Sequence, residues 1–450
     1  MLLTIEKIVA GGLGLGRRQD GCTVMVPGVL PQEEVLVRVR RRHRRFLTAE
    51  LQEVRRAAPQ RRRAPCPCYE ACGGCDLQHA VYSAQLTFKQ QILQELLQRA
   101  GLAEKVLPRL APPLTAPSEF HYRQRIRMQV EQGQAGFFQT GSHRLQPVNS
   151  CLLARPEINA LWQELQPHEA WQQLAAQVSA LEINLDPASR RLVLLLHHRR
   201  RPRPAERRAA LQLCHDLPAL KGLAFLPVGH AAGPFIDRDS GPAGRLGSEA
   251  LQLCLKLPVT PAGRTLELQF EPWGFSQVNE EQNRQLLTLL IELLQPAGHE
   301  IVADLHCGMG NFSLPLALLV GEVHGVDLQA AAIRGAKRNA EANRLNNCHF
   351  RQAEAHQGLA ALQAAGIRPD VLLLDPPRAG CRELVATLEA PLPGKVVMIS
   401  CDPATMTRDL AALLALNYQV ETMRLVDMFP QTHHLETITL LSRNNSAKGA

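Results

Sequence analysis

Past residue 300 the chain alternates between short apolar runs and segments of helical spacing, and this alternation restricts the fold more than any other feature. Ile301–Leu305, Glu322–Asp327, Val371–Asp375, Lys395–Ser400 and Leu435–Leu441 read as strands, with helices near 312–319, 329–343 and 405–416. A helix over Glu280–Gln295 precedes them, opened by a capping-box pattern, Asn279-x-x-Gln282. Strands that alternate with helices form a doubly wound α/β sheet, and such a sheet binds its ligand at the carboxyl ends of its strands.

The first of those strand ends carries Asp304-Leu305-His306-Cys307-Gly308-Met309-Gly310-Asn311-Phe312. Gly308 and Gly310 allow a tight turn and a close approach of backbone to ligand. Asp327 closes the next strand, where it can accept hydrogen bonds from a ribose diol. A dinucleotide site would ask for a third glycine, and position 313 is Ser. The incomplete phosphate pattern suits S-adenosylmethionine (SAM), which has no phosphate.

Two further strand ends carry chemistry. Asp375-Pro376-Pro377-Arg378 follows one, a motif of the kind that lines the pocket between SAM and a base in nucleobase methyltransferases. Ser400-Cys401-Asp402-Pro403 follows the next, and a thiol heading a turn into a helix is favourably placed to ionise. C5 of uracil is a poor nucleophile until a thiolate adds to C6. After methyl transfer a base must remove the C5 proton before the thiolate can leave. Such a reaction needs a Cys and a carboxylate. Cys401 is the candidate nucleophile. In Asp427-Met428-Phe429-Pro430-Gln431-Thr432-His433-His434-Leu435-Glu436, Glu436 is the candidate base, with His433 and His434 as competitors. Cys214, Cys254, Cys348 and Cys381 read as small buried hydrophobes.

The N-terminal part is different. Gly-rich turns separate short strands over residues 1–57, and Val35–Arg40 alternates at period two. This fits an OB-like barrel, a common single-strand RNA binder. Val26-Pro27-Gly28-Val29-Leu30-Pro31 resembles a TRAM domain. The net charge is +8, and arginines crowd at Arg38, Arg40, Arg41, Arg42, Arg44, Arg45 and again at Arg61, Arg62, Arg63. Clustering of this density reads as a phosphate-binding footprint. The run His197–Arg201 is either a second RNA contact or an exposed hairpin tip. With no apolar run of spanning length and no signal peptide, the expectation is a cytoplasmic protein that does not enter membranes and works as a monomer.

Four of twelve cysteines lie between positions 66 and 75, which in a reducing compartment suggests metal rather than disulfides. Zinc is one reading. Cys68-x3-Cys72-x2-Cys75 also reproduces a radical-SAM triplet, which would require a barrel of βα repeats after it.

DLHCGMGNF, DPPRAG, SCDPATMTRDL and DMFPQTHHLE resemble the RNA (uracil-5-)-methyltransferase family throughout residues 270–441, closest to its 23S rRNA members. The resemblance implies Cys401 as nucleophile and Glu436 as base. It implies SAM contacts at Gln277, His306, Asn311, Asp327, Glu354 and Asp375, with His306 standing where members usually carry an aromatic ring. It also implies a [4Fe–4S] cluster on Cys66, Cys72, Cys75 and Cys151. The expected fold is α/β: a Rossmann-like SAM-dependent methyltransferase domain (270–450), an N-terminal OB-like (TRAM) barrel (1–57) and a central α+β iron–sulfur domain (62–265). The expected reaction is 5-methyluridine formation in RNA, on 23S rRNA or, alternatively, on a tRNA T-loop uridine.

Overall fold

The structure is a computed structural model that describes residues 1–229, 235–238, 251–260, 262–388 and 391–444. It divides into two compact units. The first comprises Met1–Glu119, Pro376–Ala386 and Val397–Ala450, and the second Phe120–Asp375 and Thr387–Val396.

The first unit opens with β1 (Leu2–Val9), β2 (Leu13–Arg17), β3 (Thr23–Val26), β4 (Glu34–Arg42) and β5 (Phe46–Arg56), which close into a barrel in the order β1-β2-β3-β5-β4. Alternating positions supply its core: Leu3, Ile5, Val24, Val26, Val35, Val37, Leu47 and Ala49. Closure leaves no free sheet edge. The alternation stops at Arg38. From there β4 is exposed on both faces, and Arg38, Arg40, Arg41, Arg42, Arg44 and Arg45 all face solvent.

The second arginine cluster does something else. Arg61 donates to the fully buried Glu33 at 2.5 and 2.8 Å and to the Gly28 carbonyl, while Glu33 also accepts from the Leu30 amide. Arg62 donates to the Gln78 carbonyl and grips Glu119 with two nitrogens, at 2.8 and 3.2 Å. These two side chains fix the end of the barrel and tie it to Gln78 and Glu119, so only Arg63 of that cluster keeps the exposure a phosphate contact needs.

The helix Tyr82–Arg99 comes next, burying Ala84, Gln85, Phe88, Lys89, Ile92, Leu93 and Leu97 along one stripe. In the same unit the strands Lys395–Ser400, Glu436–Arg443, Tyr418–Val426 and Leu110–Leu114 lie in that order, and the helix Pro403–Ala415 follows the first. Buried Lys89 donates to Asp427 at 2.6 Å and to the Phe429 carbonyl at 3.0 Å, neutralising a charge that would be costly alone.

The second unit holds a seven-stranded sheet in the order Phe235–Asp237, Leu220–Pro227, Leu192–His198, Val178–Leu185, Arg125–Glu131, Gln134–Phe138, Leu145–Pro147. Its pairings are antiparallel except for one. This is not a βα-repeat barrel, and it removes the radical-SAM reading. The His197–Arg201 run is not a hairpin tip: it leads from the strand Leu192–His198 into a helix, and Arg199 and Arg201 are exposed. His198 is buried at the strand end, and Arg200 pairs with Glu206, which caps the helix Pro204–Asp216 through the Arg203 amide.

Beyond the hairpin Leu253–Val259/Arg264–Phe270 lie four parallel strands in the order Cys348–Gln352, Glu322–Asp327, Ile301–Leu305, Val371–Leu374. The chain winds outward from Ile301–Leu305 in one direction and then crosses to its other side at Val371. That reversal is the switch point at which open α/β sheets bind ligands, and it gives the Rossmann-like order. Among the described residues no helix is long and apolar enough to cross a membrane.

Candidate active site and cofactor loop

In the second unit the loop after Ile301–Leu305 leaves the sheet at the switch point. His306 has φ +84°, unusual for a residue with a side chain. The amides of His306 and Cys307 both donate to the Val326 carbonyl, at 2.8 and 3.0 Å, which folds the loop back over the next strand. Gly308 and Gly310 have φ +56° and +93°. A Cβ on Gly310 would sit 2.9 Å from Leu314, so the glycine is required twice over.

Asp327 accepts the Gly308 amide on one carboxylate oxygen (3.0 Å) and the Gln329 amide on the other (2.8 Å). The strand-end cap is therefore real, and each oxygen retains acceptor capacity for a diol. Asn311 exchanges two hydrogen bonds with Asn283 on the helix Glu280–Leu294, which Asn279 caps through the Gln282 amide. Gln277 gives its carbonyl to Gln124 at 2.8 Å, and the nearby Phe275 ring is 71% exposed. Glu354 is exposed and precedes the helix Ala355–Ala364.

Three carboxylates and an imidazole crowd this strand end. Burial pushes the Asp375 carboxyl up to about 7, and the charge of Asp304 adds to it. Burial likewise pushes Asp304 up to about 7 against the 2.5 Å hydrogen bond from Ser313, with Asp327 raising it further. Burial lowers the His306 imidazole, opposed by Asp327. A buried strand end with surplus negative charge suits a cationic ligand. Sequence reasoning treats Asp304 only as part of the loop motif and passes over Asn283. A buried acid in the loop motif is a usable signal for the first, and nothing in the helix pattern marks the second.

The first unit carries the candidate catalytic pair. Cys401 is half-buried and directly follows the strand Lys395–Ser400. Asp402 caps the next helix by accepting from Ala404 and Thr405, at 3.1 and 2.9 Å. That helix also fixes the Pro-Pro loop: Thr405 donates to the Arg378 carbonyl, Arg408 to the Ala379 carbonyl, and the Cys381 amide to Asp409 at 2.7 Å. Glu436 is buried at the first position of its strand, paired with Val426. The His433 ring nitrogen lies 2.6 Å from Asp76.

Cys66, Cys72 and Cys75 lie on one loop of this unit, each half-buried. The Cys66 amide donates to buried Gln78, the Cys68 carbonyl accepts from the Ala71 and Cys72 amides, and Tyr69 donates to the Asp76 carbonyl at 2.7 Å. The Tyr69 phenol is driven upward by burial first, then by the charges of Asp76 and Cys75. In the second unit Cys151 is held on a turn by two hydrogen bonds with Asn159. By contrast Cys214, Cys307 and Cys381 are buried; Cys254 and Cys348, expected to join them, are only half-buried because they sit on strands with an open face.

Comparison with known proteins fits this chemistry. The chain matches the tRNA (uracil-5-)-methyltransferase family over residues 81–444. The 23S rRNA (uracil(1939)-C(5))-methyltransferase RlmD of Halomonas elongata is 36% identical over 99% of this chain and 90% of its own length. An uncharacterized RNA methyltransferase of Listeria innocua is 31% identical over 98% and 97%. The crystal structure of Pyrococcus abyssi tRNA (uracil-54, C5)-methyltransferase with S-adenosyl-L-homocysteine has the same fold, with a TM-score of 0.72 at 21% identity, covering 98% of this chain and all of that one. On these matches, the chain belongs to the tRNA (uracil-5-)-methyltransferase family.

Proposed function

We propose that the protein forms 5-methyluridine in 23S rRNA, with SAM as methyl donor, in the cytoplasm. The observation that carries the choice of RNA is the near-full-length identity to relatives named for 23S rRNA methylation, 32–36% in three bacteria.

Cys401 adds as thiolate to C6 of the uracil, placing negative charge on C5 and O4. Bound SAM supplies an electrophilic methyl group. Glu436 takes the proton from C5, the C5–C6 double bond reforms and the Cys401 thiolate leaves. Asp327 would accept the ribose diol, while Asp375 and the backbone at His306 would face the remainder of the cofactor. Gln277, Asn311 and Glu354 complete the proposed set. The target uridine must leave its stack for a thiolate to reach C6. Soft, half-exposed sulfurs suit an iron–sulfur cluster: Cys66, Cys72 and Cys75, on a loop closed by its own hydrogen bonds, would hold a [4Fe–4S] group together with Cys151.

The test is mass analysis of nuclease-digested RNA from a strain lacking the gene. One 5-methyluridine fragment of 23S rRNA should be lost, and should return with the wild-type gene but not with Cys401→Ala. Loss from tRNA instead would move the substrate to the T-loop.

A further inference from the structure

Cys75 and Glu436 belong to different proposed sites, yet the residues beside them are bonded together. Asp76 follows Cys75, and its Oδ2 accepts both the His433 amide, at 2.8 Å, and the His433 Nδ1–H, at 2.6 Å. In the other direction the amides of Asp76 and Leu77 donate to the Gln431 carbonyl, each at 3.0 Å. Four hydrogen bonds therefore stitch residues 76–77 to residues 431–433.

The joint is rigid on both sides. Gln431 is fully buried with φ +69°, and its amide side chain is held by Gln85, Arg62 and Glu119. The barrel closes over the pair as well. Gly12, at φ +75°, sits so close that an added Cβ would lie 3.1 Å from the Cβ atoms of both Asp76 and His433. Glu436 is three residues beyond His433 and buried at the head of its strand.

We infer that Asp76 is a positioning residue: through His433 it sets where the strand carrying Glu436 begins, and so ties the order of the cysteine loop to proton removal from C5. This rests on Glu436 being the base. A carboxylate that accepts an amide and an imidazole N–H at one oxygen fixes both the path of the chain and the ring, as outer-shell partners do for metal ligands. Loss of that hold would displace the base without touching the nucleophile or the methyl donor. The defect should therefore fall on elimination and spare attack and methyl transfer.

The experiment compares Asp76→Ala, His433→Ala, the double variant and Glu436→Gln, using the full-length protein purified anaerobically. Each is assayed for turnover, for iron content and for a denaturation-resistant protein–RNA adduct carrying label from methyl-labelled SAM. Asp76→Ala and His433→Ala should each lower kcat roughly ten- to hundredfold. Labelled adduct should build up in both, with iron content and kcat/KM for RNA unchanged, so that KM falls together with kcat. The double variant should be no worse than Asp76→Ala, which already removes both bonds to His433. Wild-type turnover in the two single variants, while Glu436→Gln accumulates adduct, overturns the positioning role alone. Additive losses, or loss of iron in Asp76→Ala, overturn it too by making Asp76 a structural part of its own loop. If Glu436→Gln accumulates no adduct, the base assignment fails and this inference falls with it.

Discussion

Asn283 and Asn311 exchange two side-chain hydrogen bonds, at 2.8 and 3.0 Å, so the orientation of the cofactor-loop amide is set by a helix that precedes the loop in sequence. Asn283→Ala should strip the Asn311 amide of both hydrogen bonds and leave it free to rotate. With one net hydrogen bond worth about 1 kcal/mol, SAM affinity should fall about fivefold in titration calorimetry. Unchanged affinity would show that the Asn311 amide takes no part in binding.

The two arginine clusters should respond differently to alanine. Replacing the exposed Arg41, Arg42, Arg44 and Arg45 should weaken RNA binding and reduce the slope of log affinity against log salt by about one unit per lost phosphate contact. Arg62→Ala should leave that slope alone and lower the melting temperature, because it removes two hydrogen bonds from half-buried Glu119. An unaltered slope in the first variant would show that the tip of the barrel is merely solvated.

Asp304 and Asp375, both raised from 3.8 to about 7 chiefly by burial, predict a pH dependence with a definite sign. Deprotonated, they attract the sulfonium of SAM, so its affinity should decline as the buffer goes from about pH 8 to about pH 6. Stability of the ligand-free protein should move the other way. Between 3.8 and about 7 the folded form holds protons that the unfolded chain has released, so stability falls as pH rises through that window. Asp375→Asn should flatten both trends, measured by calorimetry and by thermal melts.

Protein purified without oxygen should contain about four irons. Cys72→Ser and Cys75→Ser should lose them and melt at lower temperature, while Cys68→Ser should keep them. Zinc in place of iron would replace the cluster with a structural metal.

Much of the fold and of the candidate site is legible in the sequence alone, and the reasons are local. The strand–loop–helix order after Ile301, the two loop glycines, the Asn279 cap and the switch point follow from periodicity and from φ values that only certain residues tolerate. Cys401 stands out as a candidate because reaction chemistry asks for a thiol at a strand end. What the sequence hides is pairing over long separations. Arg62 and Arg63 look alike in a run of three, and only the fold shows that Glu119 takes one of them. His433 reads as a rival base in sequence, whereas the fold sets Asp76, far earlier in the chain, against its ring. Charge runs do not carry the identity of their partners: within His197–Arg201 the fold pairs Arg200 with Glu206 and leaves Arg199 and Arg201 exposed.

In the proposed reaction Cys401 attacks uracil C6. An RNA fragment with 5-fluorouridine at the target position blocks the last step, because fluorine cannot leave as a cation. Wild-type protein incubated with that RNA and methyl-labelled SAM should give a labelled band of protein plus RNA on a denaturing gel, and peptide mapping should place the attachment at Cys401. Cys401→Ala should give no such band. A labelled adduct in Cys401→Ala, or attachment at any other cysteine, would contradict the account.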